Sequence, residues 1–441
     1  MSRFRLRILA TAFAATGVLI ISQHASASAF QLWEQDATSV ANYHAGYAAA
    51  AYDASTAFYN PAGLSRFKNQ QLVFAADSVL TSFKYRGTVG VNTIDDGDPQ
   101  SVTAQGGNIS IIPALHYVAP LSDIIAFGFS VDVPFGLMTD YGKRTALRYA
   151  STQTSVQVID ISPVLSFKVT DKLSLGLGPD VQVMKGEFDQ VGTNGVIEWD
   201  GDGINRADDT AYGMHAGIMY EFNENSRIGL SYHSQVVHHL TGTSNFAGPL
   251  VREALEIPSG AILSKRAKLD ITLPAYTALS AYHKLNTKVA LMGTVIYSQW
   301  STLQNLVLQN VAGVSDLQAS TNIIVTIPQH FRNTYSVSVG GDYDVTDKIT
   351  LRAGVGYDET PVNNAYRNVQ MPDNDHYALA VGGHFQATQT LGFDFGWTHI
   401  FINSANVSPP AQVTGDEIVT TNGSVNGGAD VLAAQLVWNL I

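Results

Sequence analysis

The chain has 441 residues, with 37 acidic against 25 basic side chains, a formal net charge of -12 and no cysteine. That charge argues against a nucleic-acid partner, whose phosphates demand a basic surface, and the missing thiols exclude disulfides and thiolate chemistry. Hydrophobic residues make up 45% and charged ones only 14%, yet there is one long apolar run, so most of the apolar content must be distributed in a short period.

That run lies at the start. Arg3, Arg5 and Arg7 precede an apolar stretch from Ile8 to Ile21, followed by Ala25-Ser26-Ala27. Basic residues, a short apolar core and a small-residue A-x-A site read as a secretory signal peptide over 1–27. The core is shorter than the roughly twenty residues a spanning helix needs. Cleavage after Ala27 predicts a mature start at Ser28 and takes the formal charge to -15. Residues 28–69 are rich in Ala and Tyr, with helix-starting acids at Asp36 and Asp53. They end at Asn60-Pro61, because the residue before proline is pushed out of helical geometry. This predicts a short helical unit.

From about residue 70 the pattern changes to period two. Tyr335, Val337, Val339, Tyr343 and Val345 alternate with Thr334, Ser336, Ser338, Asp342 and Asp344, and Leu351, Ala353, Val355 and Tyr357 alternate with Arg352, Gly354, Gly356 and Asp358. One face suits lipid and the other a polar interior. Backbone groups cannot go unpaired in hydrocarbon, so such strands must close on themselves. Tight turns at 120–123, 170–172, 223–226, 286–287, 346–348 and 388–390 alternate with longer connections near 86–107, 140–155, 190–209, 244–267, 304–330, 360–374 and 405–428. The count predicts an all-β transmembrane barrel of about fourteen antiparallel strands over 70–441, with short turns facing the periplasm and long loops facing out. A two-sheet sandwich shares the alternation. The signal peptide, the turn and loop asymmetry and the strand length favour the barrel.

Ser28-Ala29-Phe30-Gln31-Leu32, Asp53-Ala54 and Asn60-Pro61-Ala62, placed about thirty residues into the mature chain and just before the first strand, resemble the N-terminal hatch of the FadL family of outer-membrane transporters. Further blocks extend the resemblance: Val133-Pro134-Phe135-Gly136-Leu137, Arg148-Tyr149-Ala150, Ile161-Ser162-Pro163, Leu273-Pro274-Ala275, Phe331-Arg332, Arg352-Ala353-Gly354 and Met371-Pro372-Asp373. The resemblance implies a hatch over 28–69 plugging the lumen. It also implies passive transport of hydrophobic molecules, long-chain fatty acids first and monoaromatic hydrocarbons as the alternative, with Phe30 and Leu32 near the ligand. A general diffusion porin is the other alternative, though it gives no reason for an apolar plug. The chain departs from the family at its end, Leu440-Ile441 in place of an aromatic residue, and at Thr326–His330, where a basic residue for a carboxylate is missing.

Lys168, Arg332 and Arg352 fall in the inward phase and could meet a carboxylate, as could Arg148 after its family-like block. Asp160, Asp180, Asp342 and Asp394 share that phase and could instead pair with such cations. Pro134 and Gly136 in the third strand cannot sustain a regular ladder, which predicts a bulge or break there; the resemblance makes it a lateral exit. No G-x-S-x-G, H-E-x-x-H or phosphate loop is present, so no enzymatic activity or cofactor is expected. His233 and His238 are expected on opposite faces and so to form no metal site, and Asp200–Asn205 is expected to be a solvated loop. The expected setting is the outer membrane of a Gram-negative bacterium, as a monomer whose partners are a hydrophobic small molecule and outer-membrane lipids.

Overall fold

The computed structural model describes residues 29–94 and 97–440; the signal peptide, the start at Ser28 and Ile441 lie outside them. Among the described residues, fourteen antiparallel strands close into a barrel. They are β1 Gln70–Val91, β2 Gln100–Gln105 continued by Ile109–Pro120, β3 Ile125–Asp140, β4 Gln153–Lys168, β5 Leu173–Gly192, β6 Gly201–Asn223 and β7 Ser226–His233 continued by Val236–Ala247. β8 is Ala261–Leu273 with Tyr276–Lys284, β9 Val289–Ser298 with Asn305–Ser315, and β10 Gln318–Pro328 with Thr334–Thr346. β11 Ile349–Asp358, β12 His376–Gln386, β13 Leu391–Val407 and β14 Glu417–Leu440 complete the circuit. Closure is by β1 against β14, from Gln70↔Leu440 to Val91↔Val419, which leaves no open edge there.

The alternation places side chains as period two demands. Leu175, Leu177, Met214, Ile218, Val337, Val339, Leu351 and Val355 are exposed on the outside, while Ser336, Ser338, Asp342 and Arg352 between them are buried. On β5 the outward apolar run from Leu173 to Val183 spans ten residue steps. At ~3.4 Å per residue and ~40° tilt this is about 26 Å, the height of a lipid-facing band. No helix of the described residues is long and apolar enough to cross a membrane.

Two sequence expectations are corrected. Several segments read as long loops are strand: 304–330 is largely a hairpin, Asn305–Ser315 with Gln318–Pro328, and the expected solvated loop at Asp200–Asn205 opens β6. Strands here run past the bilayer, where their outer faces turn polar and lose the apolar alternation that marks them. Second, β7, β8 and β10 are interrupted near residues 234–235, 274–275 and 329–333, and each interruption reverses the inward phase. His233 and His238 are therefore both buried.

Inside lies the N-terminal segment, with α1 Ala37–Asn42, α2 Thr56–Tyr59 and a 3-10 turn Pro61–Arg66. Asp36 caps α1 by accepting from the Ser39 amide at 2.6 Å, and Tyr43 ends it in the left-handed region, φ 51. Asn60, extended at φ -161, stops α2 and caps the next turn by accepting from the Ala62 amide at 3.1 Å. Its Nδ2 donates to the Ala48 carbonyl at 2.6 Å and to Ile218 of β6 at 3.1 Å. The tripeptide Asn60-Pro61-Ala62 thus fixes two hatch turns and ties them to the wall. Wall glycines allow that approach. A Cβ at Gly217 would lie 1.8 Å from Asn60 Oδ1, and one at Gly229 1.7 Å from the Ala48 oxygen.

Candidate functional site: the hatch, the third strand and the apolar chamber

The third strand separates from the second. Their ladder runs from Pro120↔Ala126 to Leu115↔Val131 and stops, while β3 shifts register against β4 between Asp132 and Phe135 and then continues to Asp140↔Gln153. Proline at 134 supplies no amide and glycine at 136 no side chain, which explains the break at this point. Among the described residues, the next backbone bond across the gap is Asp140 N to Gly106 O, 3.0 Å.

The hatch satisfies the backbone groups this break frees. Leu32 N donates to Pro134 O and Gly136 N to Phe30 O, each 2.8 Å, with Gln31 opposite Phe135 as an antiparallel bridge. Gln35 does the same one step lower. Its Nε2 donates to Val133 O at 2.9 Å and its Oε1 accepts from Val133 N at 2.8 Å. Ala29 N donates to the buried Asp373 carboxylate at 2.9 Å, so an outer connection holds the hatch start. Gln35 and Asp373 carry no sequence pattern that marks these roles.

Phe30 closes the lower end of a buried apolar cluster that borders two cavities at its top and forms with them one apolar chamber. Its ring is 4.8 Å from Trp300 and 5.9 Å from Phe135, and Trp300 is 5.7 Å from Phe331. Above them Leu137, Val156, Val158, Met184, Leu240, Leu269, Ile271 and Leu273 continue the same buried cluster. Two adjoining cavities, about 320 and 350 Å³, lie at its upper end beside Phe188, Leu308 and Val311, with Leu240 and Leu269 on the first and Gln370 and Gln412 on the second. Leu32 packs in a separate cluster, with Val40, Val79, Ile112 and Val133. Phe246, Leu250, Val251 and Ile262 bury one another in a further cluster.

The three arginines lie apart. Arg352 is buried between Asp394, 2.5 Å, and Asp342, 3.7 Å, under the Tyr52 ring. Arg148 pairs with Asp200 at 3.0 Å and stacks on Tyr149. Arg332 is half exposed at the interruption of β10, bonded to Thr360 O at 3.2 Å and 3.6 Å from Asp375. None of the three belongs to the apolar cluster.

Asp180, His215 and His233 bring possible metal ligands within 4.8 Å of one another. The imidazoles, however, stack 4.7 Å apart at 6°, so their lone pairs lie in parallel planes rather than converging. His215 already uses Nδ1 on Asp180 at 2.5 Å and Nε2 on the Ala57 carbonyl at 3.0 Å. The arrangement fits a hydrogen-bonded seat for the hatch better than a metal centre.

Buried acids and a histidine sit within the hatch itself. Burial, with the Asp358 charge nearby, pushes the Glu34 carboxyl up to about 7. Burial and Asp53 push Asp36 up to about 6. Burial holds the His44 imidazole down at about 4.

A closed barrel with an apolar outer band and an interior plug defines an outer-membrane channel of the plugged type. The chain belongs to the outer membrane protein transport protein family (OMPP1/FadL/TodX), whose model matches residues 18–439. It is similar to outer membrane protein P1 of Haemophilus influenzae, 28% identical with 97% of this chain and 96% of that one covered. It is also similar to a long-chain fatty acid transport protein of Escherichia coli, 25% identical over 88% and 90%. The crystal structure of a Pseudomonas aeruginosa FadL homologue, 24% identical, shares the fold with a TM-score of 0.80, covering 93% of this chain and 99% of that one. The protein is an outer-membrane transporter of hydrophobic compounds.

Proposed function

We propose that this protein, as a monomer, passively admits long-chain fatty acids and releases them sideways into the membrane through the gap beside Pro134 and Gly136. The observation that carries the reading is an apolar chamber whose lower end, Phe30, is bonded to the unpaired stretch of β3. Along β8 the chamber wall runs from Leu273 to Ala267, roughly 20 Å at ~3.4 Å per residue, a length that suits an extended chain. The Escherichia coli relative's name points the same way. In this reading Phe30 gates the chamber, Leu32 holds the seal beside it through Pro134, and Arg148 and Arg332 meet the carboxylate on its way in. Arg352, already shared by two aspartates, has the weakest claim to it. Lateral release spares the cargo a return to water, worth about 0.8 kcal/mol per methylene.

A second reading has one observation in its favour: four aromatic rings, Phe30, Phe135, Trp300 and Phe331, wall the chamber floor without a cation, which suits a neutral aromatic hydrocarbon. Replacing Pro134→Val with Gly136→Thr restores the means to pair β3 with β2. Uptake of labelled oleate by cells carrying the double variant is expected to fall several-fold at equal surface abundance. Unchanged uptake would sink the lateral route, and labelled toluene taken up in place of oleate would favour the second reading.

A further inference from the structure

Five cations gather on one outer flank of the barrel, on strands β5, β6 and β8, just above the apolar band. Lys185 follows Val183 on β5, and Arg206 lies on β6 with its side chain 62% exposed. On β8 a register shift between Ser264 and Ala267 breaks the alternation, so that Lys265 and Arg266, consecutive residues, are both exposed, with Lys268 beyond them. A regular strand would turn one of the first two inward; the bulge keeps all three outside.

Register brings them together. Lys185 lies opposite Asp208, Asp208 opposite Thr241 and Thr241 opposite Lys268, a straight row across four strands. At ~4.8 Å between strands the row is roughly 14 Å long. One step further out, Arg206 is opposite both Glu187 and Thr243. Arg206 pairs with Glu187 at 2.7 Å, and no ion pair engages Lys185, Lys265, Arg266 or Lys268 among the described residues. The outer ends of β13 and β14 expose Asn403, Asn406, Asn422 and Asn426 instead, all neutral. The other outward cations at this height that bear comparison are the pair Lys84 and Arg86 on β1, opposite the neutral Asn426 and Ser424, against five here.

We propose that this flank is a docking site for a multiply phosphorylated lipid of the outer leaflet, its acyl chains against the apolar band and its phosphates on Lys185, Lys265, Arg266 and Lys268. Unpaired cations one step above a lipid-facing belt meet a headgroup phosphate without leaving water. The inference is independent of the cargo.

The test is native mass spectrometry of the detergent-solubilised full barrel with bisphosphorylated lipid A, comparing wild type with the Lys265→Gln/Arg266→Gln/Lys268→Gln variant. Lys84→Gln/Arg86→Gln on β1 is the control. Binding is expected to weaken about tenfold or more in the triple variant and to stay at wild-type strength in the control. Dephosphorylated lipid A should bind wild type as weakly as the intact lipid binds the triple variant. Should the triple variant fail to fold, Lys185→Gln/Lys268→Gln is read instead. Equal binding by the tested variant, or an equal loss in the control, would overturn the proposal. Displacement of the lipid by pyrophosphate would reassign the flank to a soluble phosphate, and displacement by oleate to the cargo; either overturns it too.

Discussion

Gly217 and Gly229 flank Asn60, and replacing both with alanine tests whether the hatch is held by close backbone contact with the wall. The added methyls would lie 1.8 Å from Asn60 Oδ1 and 1.7 Å from the Ala48 oxygen. The Asn60 side chain is held by its own bonds and the Ala48 oxygen is backbone, so the hatch must move inward, off the wall, by more than an ångström. That movement breaks bonds that cross from hatch to wall: Asn60 Nδ2 to the Ile218 carbonyl, Ala48 N to Ser280 Oγ and Arg227 Nε to the Ala49 carbonyl. Three buried bonds at ~1 to 2 kcal/mol each amount to about 3–6 kcal/mol lost from the docked state. At 1.4 kcal/mol per tenfold, the undocked population rises at least about a hundredfold. The barrel should still assemble, since alanine removes backbone freedom from a strand and disturbs no ladder bond. Single-channel recording in planar bilayers should show frequent openings, approaching those of a barrel lacking 28–69, while heat modifiability on gels reports intact folding. Gly293→Ala is the control, since its new methyl meets only a carbonyl at an ordinary 3.5 Å. A folded double variant as silent as wild type would refute the reasoning.

Glu34, raised to about 7 from an ordinary 4.5, favours the docked hatch fully below pH 4.5 and loses that contribution as pH rises through 7, about 3 kcal/mol at most. His44, lowered to about 4 from 6.5, acts in the opposite sense, contributing above pH 6.5 and losing it as pH falls through 4. Asp36, raised to about 6, acts in the same sense as Glu34, so two acids outweigh one imidazole and wild-type opening should rise from pH 4.5 to 6. Glu34→Gln should flatten that rise and His44→Gln should steepen it, and identical profiles in all three would refute both assignments. N-terminal sequencing of the purified protein should read Ser28-Ala29-Phe30. A start at Met1 would contradict the export signal.

The barrel was legible because period two and the spacing of turns are local properties that lipid enforces strand by strand. The interruptions of β7, β8 and β10 were not: two or five residues within a strand look the same whether they continue the pleat or reverse it. That is why His233 and His238 were assigned to opposite faces. The inward phase of Arg352 could be read from alternation, but its sharing by Asp342 and Asp394 depends on register across several strands. Phe30 and Leu32 came from resemblance, whereas Gln35, Trp300 and the Ala29 to Asp373 bond depend on where distant segments meet. The cations of β8 were equally hidden, because a bulge decides which way consecutive residues point.

The gap in the wall and the plug in the lumen share the same hydrogen bonds. A break in β3 facing hydrocarbon would leave Val133, Pro134 and Gly136 with unpaired backbone groups, each costing several kcal/mol without water. Phe30, Leu32 and Gln35 supply those partners, so the closed state depends on the hatch as much as on the barrel. Under the proposed function, unsealing the wall and withdrawing the chamber floor are therefore one event. Cargo that displaces Phe30 from Phe135 and Trp300 also strains the Phe30 to Gly136 bond, because ring and carbonyl belong to the same residue. An apolar molecule pressing on the floor thereby loosens the seal beside it. A small ion, which gains nothing by displacing aromatic rings, does not.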